Sequence, residues 1–107
     1  MNDAAECASL QRVFGDRIRA VPIEATKGVV GHLLGAAGMV AAVSTVLGLL
    51  DREVHPTPGP GVADPALPVQ LVMDGPRSVP GMRAAVTASL GFGGANAAVV
   101  FGRWDDA

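Results

Sequence analysis

Residues 33–50 carry no charged side chain, and this run limits the chain's fold more than any other feature. An apolar segment of that length must be covered, by protein or by lipid, and it is just long enough to span a bilayer. Much of it is Gly, Ala, Ser and Thr, however, which gives little insertion free energy per residue. A proline-rich stretch and strand-like runs that need a sheet then follow it. The reading that fits both facts is a helix over residues 33–50, buried on most sides in a layered α/β domain and not placed in a membrane. Gly35, Gly38, Ala41, Ala42 and Gly48 would let neighbours approach it closely.

The segment leading into that helix is Lys27-Gly28-Val29-Val30-Gly31-His32-Leu33-Leu34-Gly35-Ala36-Ala37-Gly38. It sets a lysine and a histidine five residues apart among four glycines. Glycine lacks the Cβ that keeps backbone or ligand at a distance, so an imidazole between Gly31 and Gly35 is a candidate for function. The alternative is a partly buried structural histidine where the helix begins. Both readings stay open on these residues alone, because perturbed titratable groups mark sites and ordinary cores alike.

Residues 3–15 read as an amphipathic helix, with Asp3 as its cap, Glu6 in a capping-box position and Gly15 as its stop. Cys7, Leu10, Val13 and Phe14 form the expected core stripe. A nucleophilic role for Cys7 would require a nearby base or a lowered pKa. Residues 20–25 form a short strand that Pro22 confines to a start or an edge. Asp51, Arg52 and Glu53 end the long helix at solvent, and residues 55–68 hold five of the chain's prolines and read as a surface loop. His55 in that loop is read as structural, since no second His, Cys or carboxylate stands at metal-ligand spacing. Residues 69–73 form a strand, 74–81 a turn, and 83–90 and 96–102 a hairpin joined through Gly91, Gly93 and Gly94.

At 107 residues this is a single domain over residues 1–107. Half of its residues are hydrophobic and 17% charged, which excludes a disordered chain and leaves apolar surface in want of cover. A formal charge of -2 without a basic run argues against a nucleic-acid partner. A single cysteine gives no internal disulfide, and the N-terminus shows no basic leader before an apolar run, so the expected location is cytoplasmic.

The Lys27–Gly38 block resembles the lysine-histidine segment of the β-ketoacyl synthases, the condensing enzymes of fatty acid and polyketide assembly. A second block resembles that family's glycine-rich turn and last strand: Ser89-Leu90-Gly91-Phe92-Gly93-Gly94-Ala95-Asn96, followed by Ala97-Ala98-Val99-Val100-Phe101. The resemblance implies the C-terminal half of a thiolase-like layered fold, with a mixed sheet and a buried helix. It also implies an acyltransferase that works on acyl carrier protein without cofactor or metal. In that reading His32 is the second active-site histidine and hydrogen-bonds the malonyl thioester oxygen. Lys27 shapes the electrostatics around it, and buried there it would need an acceptor. The Phe92 N–H joins the oxyanion hole while its ring gates the acyl pocket, and Gly91, Gly93 and Gly94 let the turn approach the thioester. His32 and Phe92 should then face a common cavity.

Departures from the family pattern bear on activity. The family's nucleophilic cysteine and first histidine lie in sequence outside these residues, and of its His-Gly-Thr-Gly-Thr segment ending in Gly-Asp only Asp3 is matched. The glutamate expected nine residues after His32 is Ala41, and Ala88 and Leu90 replace an Asn and a Phe. The chain alone is expected to be inactive and to require an N-terminal ketosynthase half or a homologous subunit. The alternative is a non-catalytic partner or chain-length subunit, or a truncated remnant.

Overall fold

A computed structural model describes residues 2–59 and 61–104; Met1, Pro60 of the expected loop and the last three residues lie outside it. The order of elements is α1 (Asn2–Phe14), a 3-10 turn (Gly15–Ala20), β1 (Pro22–Ile23), α2 (Lys27–Val30), a second 3-10 turn (Leu34–Ala36), α3 (Ala37–Asp51), β2 (Glu53–Val54), β3 (Gln70–Leu71), β4 (Arg77–Ser78), β5 (Ala84–Leu90), a third turn (Phe92–Gly94) and β6 (Asn96–Gly102).

Helix α3 and the β5–β6 hairpin form the largest packed unit. Residues Ala84 to Leu90 pair antiparallel with Gly102 back to Asn96 without a break. Fifteen helical residues and seven extended ones both cover roughly 22–24 Å, so helix and hairpin match in length. At one end, a Cβ built on Gly38 would stand 3.5 Å from Ser89 Oγ. At the other, Arg103 Nη1 donates to the carbonyls of Leu49 and Leu50 at 2.8 and 3.0 Å, closing orphan acceptors at the helix C-terminus. The Ser89 contact and the two-residue alternation of a strand turn Ala85, Thr87, Ala97, Val99 and Phe101 toward α3. Val86, Ala88, Ala98 and Val100 fall on the opposite face, which no described element covers.

The end of α3 depends on glycine. Arg52 takes a left-handed conformation at the helix C-terminus (φ 56°), and its N–H bonds Gly48 O. The chain then doubles back so tightly that a Cβ on Gly48 would meet Glu53 O at 2.7 Å. This reversal leads into β2, which pairs antiparallel with β4, and the ladder is extended by Val79 N–H donating to Arg52 O. Strand β1 pairs parallel with β3, and Val72 N–H continues that pairing to Ile23 O.

Several expectations are corrected. The single mixed sheet is three separate two-stranded ladders, one parallel and two antiparallel. Asp51, Arg52 and Glu53 are exposed as expected, but Glu53–Val54 and the turn of residues 74–81 contain β2 and β4, ladders too short for periodicity to reveal. Regular α-helix begins at Ala37 and not at residue 33, because Leu34–Ala36 winds as a 3-10 turn and Leu34 has φ 50°. Helix α1 begins at Asn2, so Asp3 sits within the first turn and does not cap it. Val13 leaves the core stripe at 73% exposure: at 100° per residue it lies about 120° around the helix from Cys7, whereas Leu10 and Phe14 stay near it.

The main correction concerns burial. The long helix is not enclosed: of its residues only Leu49 is buried, while Met39, Val43, Leu47 and Leu50 are 52–71% exposed. The buried apolar residues are Cys7, Ile18, Leu49 and Val72, with Ile18 of the first 3-10 turn the most completely covered at 1%. By length and composition the stretch Leu34–Asp51, with mean hydropathy 1.7, is apolar enough to cross a membrane. It packs along the hairpin, and its Ser44 faces α2 and the 55–58 loop across a hollow, while the side carrying Met39, Val43, Leu47 and Leu50 stays open.

Two outcomes follow for the purified chain. Leu49→Ala should lower stability by about 2–5 kcal/mol in denaturant unfolding, because it removes one of few buried side chains. Sedimentation at low micromolar concentration should show concentration-dependent self-association that Val43→Glu or Leu47→Lys reduces. A monomeric, cooperative transition in the unsubstituted chain would show that the open face needs no cover.

Candidate active site

Lys27 is the first residue of α2, and α2 ends at Gly31, whose N–H returns to Lys27 O. His32 follows in an irregular link between α2 and the second 3-10 turn. Its Nδ1 accepts the N–H of Leu34 at 3.2 Å. A ring nitrogen that accepts cannot carry the proton of a neutral imidazole, so this contact leaves the N–H on Nε2. The histidine is exposed and holds a donor ready for an acceptor that approaches from solvent.

The second block forms the connection of the β5–β6 hairpin. Gly91 N–H donates to Ala95 O at 2.9 Å across the turn. A Cβ on Gly91 would stand 2.8 Å from that same oxygen, so the closure requires glycine. Gly93 and Gly94 take φ of 78° and 83°, the left-handed region. Phe92, held between them and Gly91, is 99% exposed.

Because Gly38 at the start of α3 lies against Ser89 at the end of β5, the two blocks come to the same end of the helix–hairpin unit. His32 precedes that contact on one chain segment and Phe92 follows it on the other. The hollows beside this unit are lined by other residues. One, of about 360 Å³, is bounded by Thr26, Val29, Val30, Ser44, His55, Pro56 and Pro58. Another, of about 310 Å³, lies at the far end among Val46, Leu49, Leu50 and residues 101–104. Neither includes His32 or Phe92.

Lys27 is exposed, so the desolvation that would demand an acceptor does not arise in this chain. Ala41 offers none in any case. Cys7 is buried, and burial first, then the charges of Glu6 and Asp3, raises its pKa above the ordinary thiol value. It stays a thiol at neutral pH, as a core residue does. Among the described residues no three His, Cys, Asp or Glu side chains group closely enough to hold a metal ion.

One polar pair was not visible along the sequence. His55 Nε2 lies 2.8 Å from Glu24 Oε2, and His55 Nδ1 lies 3.0 Å from Pro56 O. Along the sequence Glu24 falls in the short strand of residues 20–25 and His55 stands alone in the proline-rich loop. Only the parallel β1–β3 pairing brings them together.

With the geometry in place, comparison with known proteins identifies the class. The profile of the β-ketoacyl synthase C-terminal domain matches residues 1–59, more than half of the chain. The chain therefore belongs to the β-ketoacyl synthase family. It is 40% identical over 102 residues to 3-oxoacyl-[acyl-carrier-protein] synthase 2 of Vibrio cholerae, a match covering 94% of this chain and 25% of that protein. The Vibrio harveyi protein of the same name is 41% identical over 92% of this chain and 24% of its own length. The Staphylococcus aureus strain COL protein is 31% identical over 98% and 25%. The chain thus spans about a quarter of the length of the curated relatives it matches.

The turn's geometry gives a direct test. Gly91→Ala should destabilise the chain by about 1–3 kcal/mol, through the clash with Ala95 O, and shift amide resonances across residues 89–97. Phe92→Ala, at an exposed position, should leave the unfolding midpoint nearly unchanged.

Proposed function

We propose that this chain is the C-terminal portion of a β-ketoacyl-[acyl carrier protein] synthase and supplies one wall of its active site. The whole protein would catalyse decarboxylative Claisen condensation in fatty acid or polyketide synthesis, with acyl carrier protein delivering the thioesters in the cytoplasm. The observation that carries the reading is the arrival of two separate motif blocks, Lys27–Gly38 and Ser89–Asn96, at one end of the α3–hairpin unit.

The difficulty of this reaction is negative charge that develops on thioester oxygens, first as carbon dioxide leaves the malonyl group and then as the carbanion attacks the acyl carbon. Donors fixed in advance at those oxygens stabilise both steps. His32 fits that role because its Nδ1 is occupied by Leu34 N–H, which holds Nε2–H as the donor in an uncharged ring. Lys27, five residues earlier, adds positive potential. The Phe92 N–H and ring sit on a turn that Gly91, Gly93 and Gly94 allow to come close to the thioester. The covalent nucleophile and the first histidine would come from an N-terminal ketosynthase half or a homologous subunit.

The same reading gives the architecture. Three short ladders and a half-covered helix are the expected remainder when a thiolase-like layered fold is represented by its C-terminal part. The exposed sides of Met39, Val43, Leu47, Val86 and Val100 are where further layers would pack. One observation favours a second reading, that of a non-catalytic partner subunit: Ala41 replaces a carboxylate that would pair with Lys27.

The 107-residue chain alone should neither condense acyl thioesters nor release carbon dioxide from malonyl carrier protein. Mixed with a matching N-terminal half it should regain both, and His32→Ala should then lose decarboxylation by a factor of about a hundred or more while acyl loading persists. Full decarboxylation by the His32→Ala complex would remove the role given to that residue, and an inactive complex that still assembles would favour the partner-subunit reading.

A further inference from the structure

The imidazole of His55 faces two oxygens that can only accept in their ordinary states, the carbonyl of Pro56 at Nδ1 and the carboxylate of Glu24 at Nε2. A neutral imidazole has one N–H, so it satisfies one of them. Both are satisfied only when the pair holds one additional proton, either on an imidazolium or on the Glu24 carboxyl, with that proton lying between Nε2 and Oε2. Without it one of the two contacts fails: the ring lone pair faces either the carboxylate oxygen at 2.8 Å or, when Nε2 keeps the proton, the Pro56 carbonyl at 3.0 Å. Oε2 is shielded from solvent and has no partner other than this ring, so water does not relieve the conflict.

The pair is part of a larger brace. Thr57, two residues after His55, accepts the N–H of Ala25 on its Oγ1 at 2.8 Å, and its own N–H donates to Val72 O at 2.7 Å. Val72 N–H in turn reaches Ile23 O at 2.8 Å. Residues 55–57 therefore hold both Glu24 and Ala25, the last residues before Thr26 and Lys27. Nearby, Gly28 lies so close to the loop that a Cβ there would meet Pro58 O at 2.9 Å.

We propose that Glu24 and His55 form a one-proton clasp that fixes how the chain leaves β1 for α2, making them positioning residues for Lys27 and His32. The clasp stands on its own geometry; its importance for catalysis rests on the reading of Lys27 and His32 given above. Charges on the surrounding elements are few. Strand β3 brings Gln70, α3 brings Ser44 and no charge before Asp51 at its far end, α2 brings Lys27 and β2 brings Glu53. Among the described residues, His55 is the charge that acts on the Glu24 carboxyl, favouring its ionised form.

The sign of the pH dependence follows from the same contacts. Burial raises the pKa of Glu24 above the ordinary carboxylate value, and His55 opposes that only in part. A group that holds its proton more tightly when folded contributes fully below its unfolded pKa and loses that contribution as pH rises through the folded one. Glu24 therefore keeps its proton to higher pH in the folded chain, so both contacts of the clasp are made at low pH and one is lost as the shared proton leaves.

Hydrogen exchange of the full chain between about pH 5 and about pH 9, corrected for intrinsic rates, tests this with peptides covering residues 25–31. The hairpin peptide covering residues 84–90 serves as the reference for global opening. Protection of residues 25–31 should fall about ten-fold as pH rises, while the reference peptide stays constant. Glu24→Gln, whose amide can donate to a neutral Nε2, should hold protection within about two-fold across the range. Glu24→Ala and His55→Ala should lack it at every pH. A flat profile in the unsubstituted chain, equal protection in Glu24→Ala, or a parallel loss in the hairpin would each overturn the clasp. His32→Ala should leave all these profiles unchanged, so an error in the catalytic reading shows only in the reconstituted assay.

Discussion

The structure depends first on the packing of one side of α3 along the β5–β6 hairpin. Helix and hairpin are equal in length, and they are fixed at both ends: by the close approach of Gly38 to Ser89 and by Arg103 bonding the last helical carbonyls. Substituting either end would act on both. A larger residue at Gly38 would push the glycine turn away from the lysine-histidine segment, and loss of Arg103 would leave carbonyls at Leu49 and Leu50 without their charged donor. The same packing places the two motif blocks next to each other.

The packing is also incomplete. A helix without a charge from Ala37 to Leu50 can be satisfied only when apolar surface meets it on most sides, and the hairpin covers one. Met39, Val43, Leu47 and Leu50 remain open, as do Val86 and Val100 on the far side of the hairpin. That pattern agrees with a chain that spans about a quarter of its relatives' length.

The first half of the chain is held by polar contacts more than by burial. Among the described residues only Cys7, Ile18, Leu49 and Val72 are buried, and every residue of α2 is exposed. What fixes α2 is the brace of His55, Thr57 and Val72 against β1. Such an arrangement orients a short helix with little apolar area, and it makes that orientation sensitive to protonation in a way a packed core is not.

The sequence alone determined α1, the course of α3, the hairpin and the two motif blocks, because each rests on a local signal: an apolar run, two-residue alternation ending in glycines, and a lysine and histidine at fixed spacing. The 83–90 and 96–102 strands were legible for that reason, and so was Gly91 as a residue the turn requires. Tertiary structure decided what no local signal carries. Two-residue ladders such as β2–β4 and β1–β3 are too short to show a period and exist through partners far along the chain. Val13 left the expected core stripe, and Ile18 entered the core because the turn after α1 meets β3. Glu24 and His55 became a pair only when parallel pairing closed a loop between them, and the exposure of α3 followed from how much of the surrounding fold these residues themselves supply.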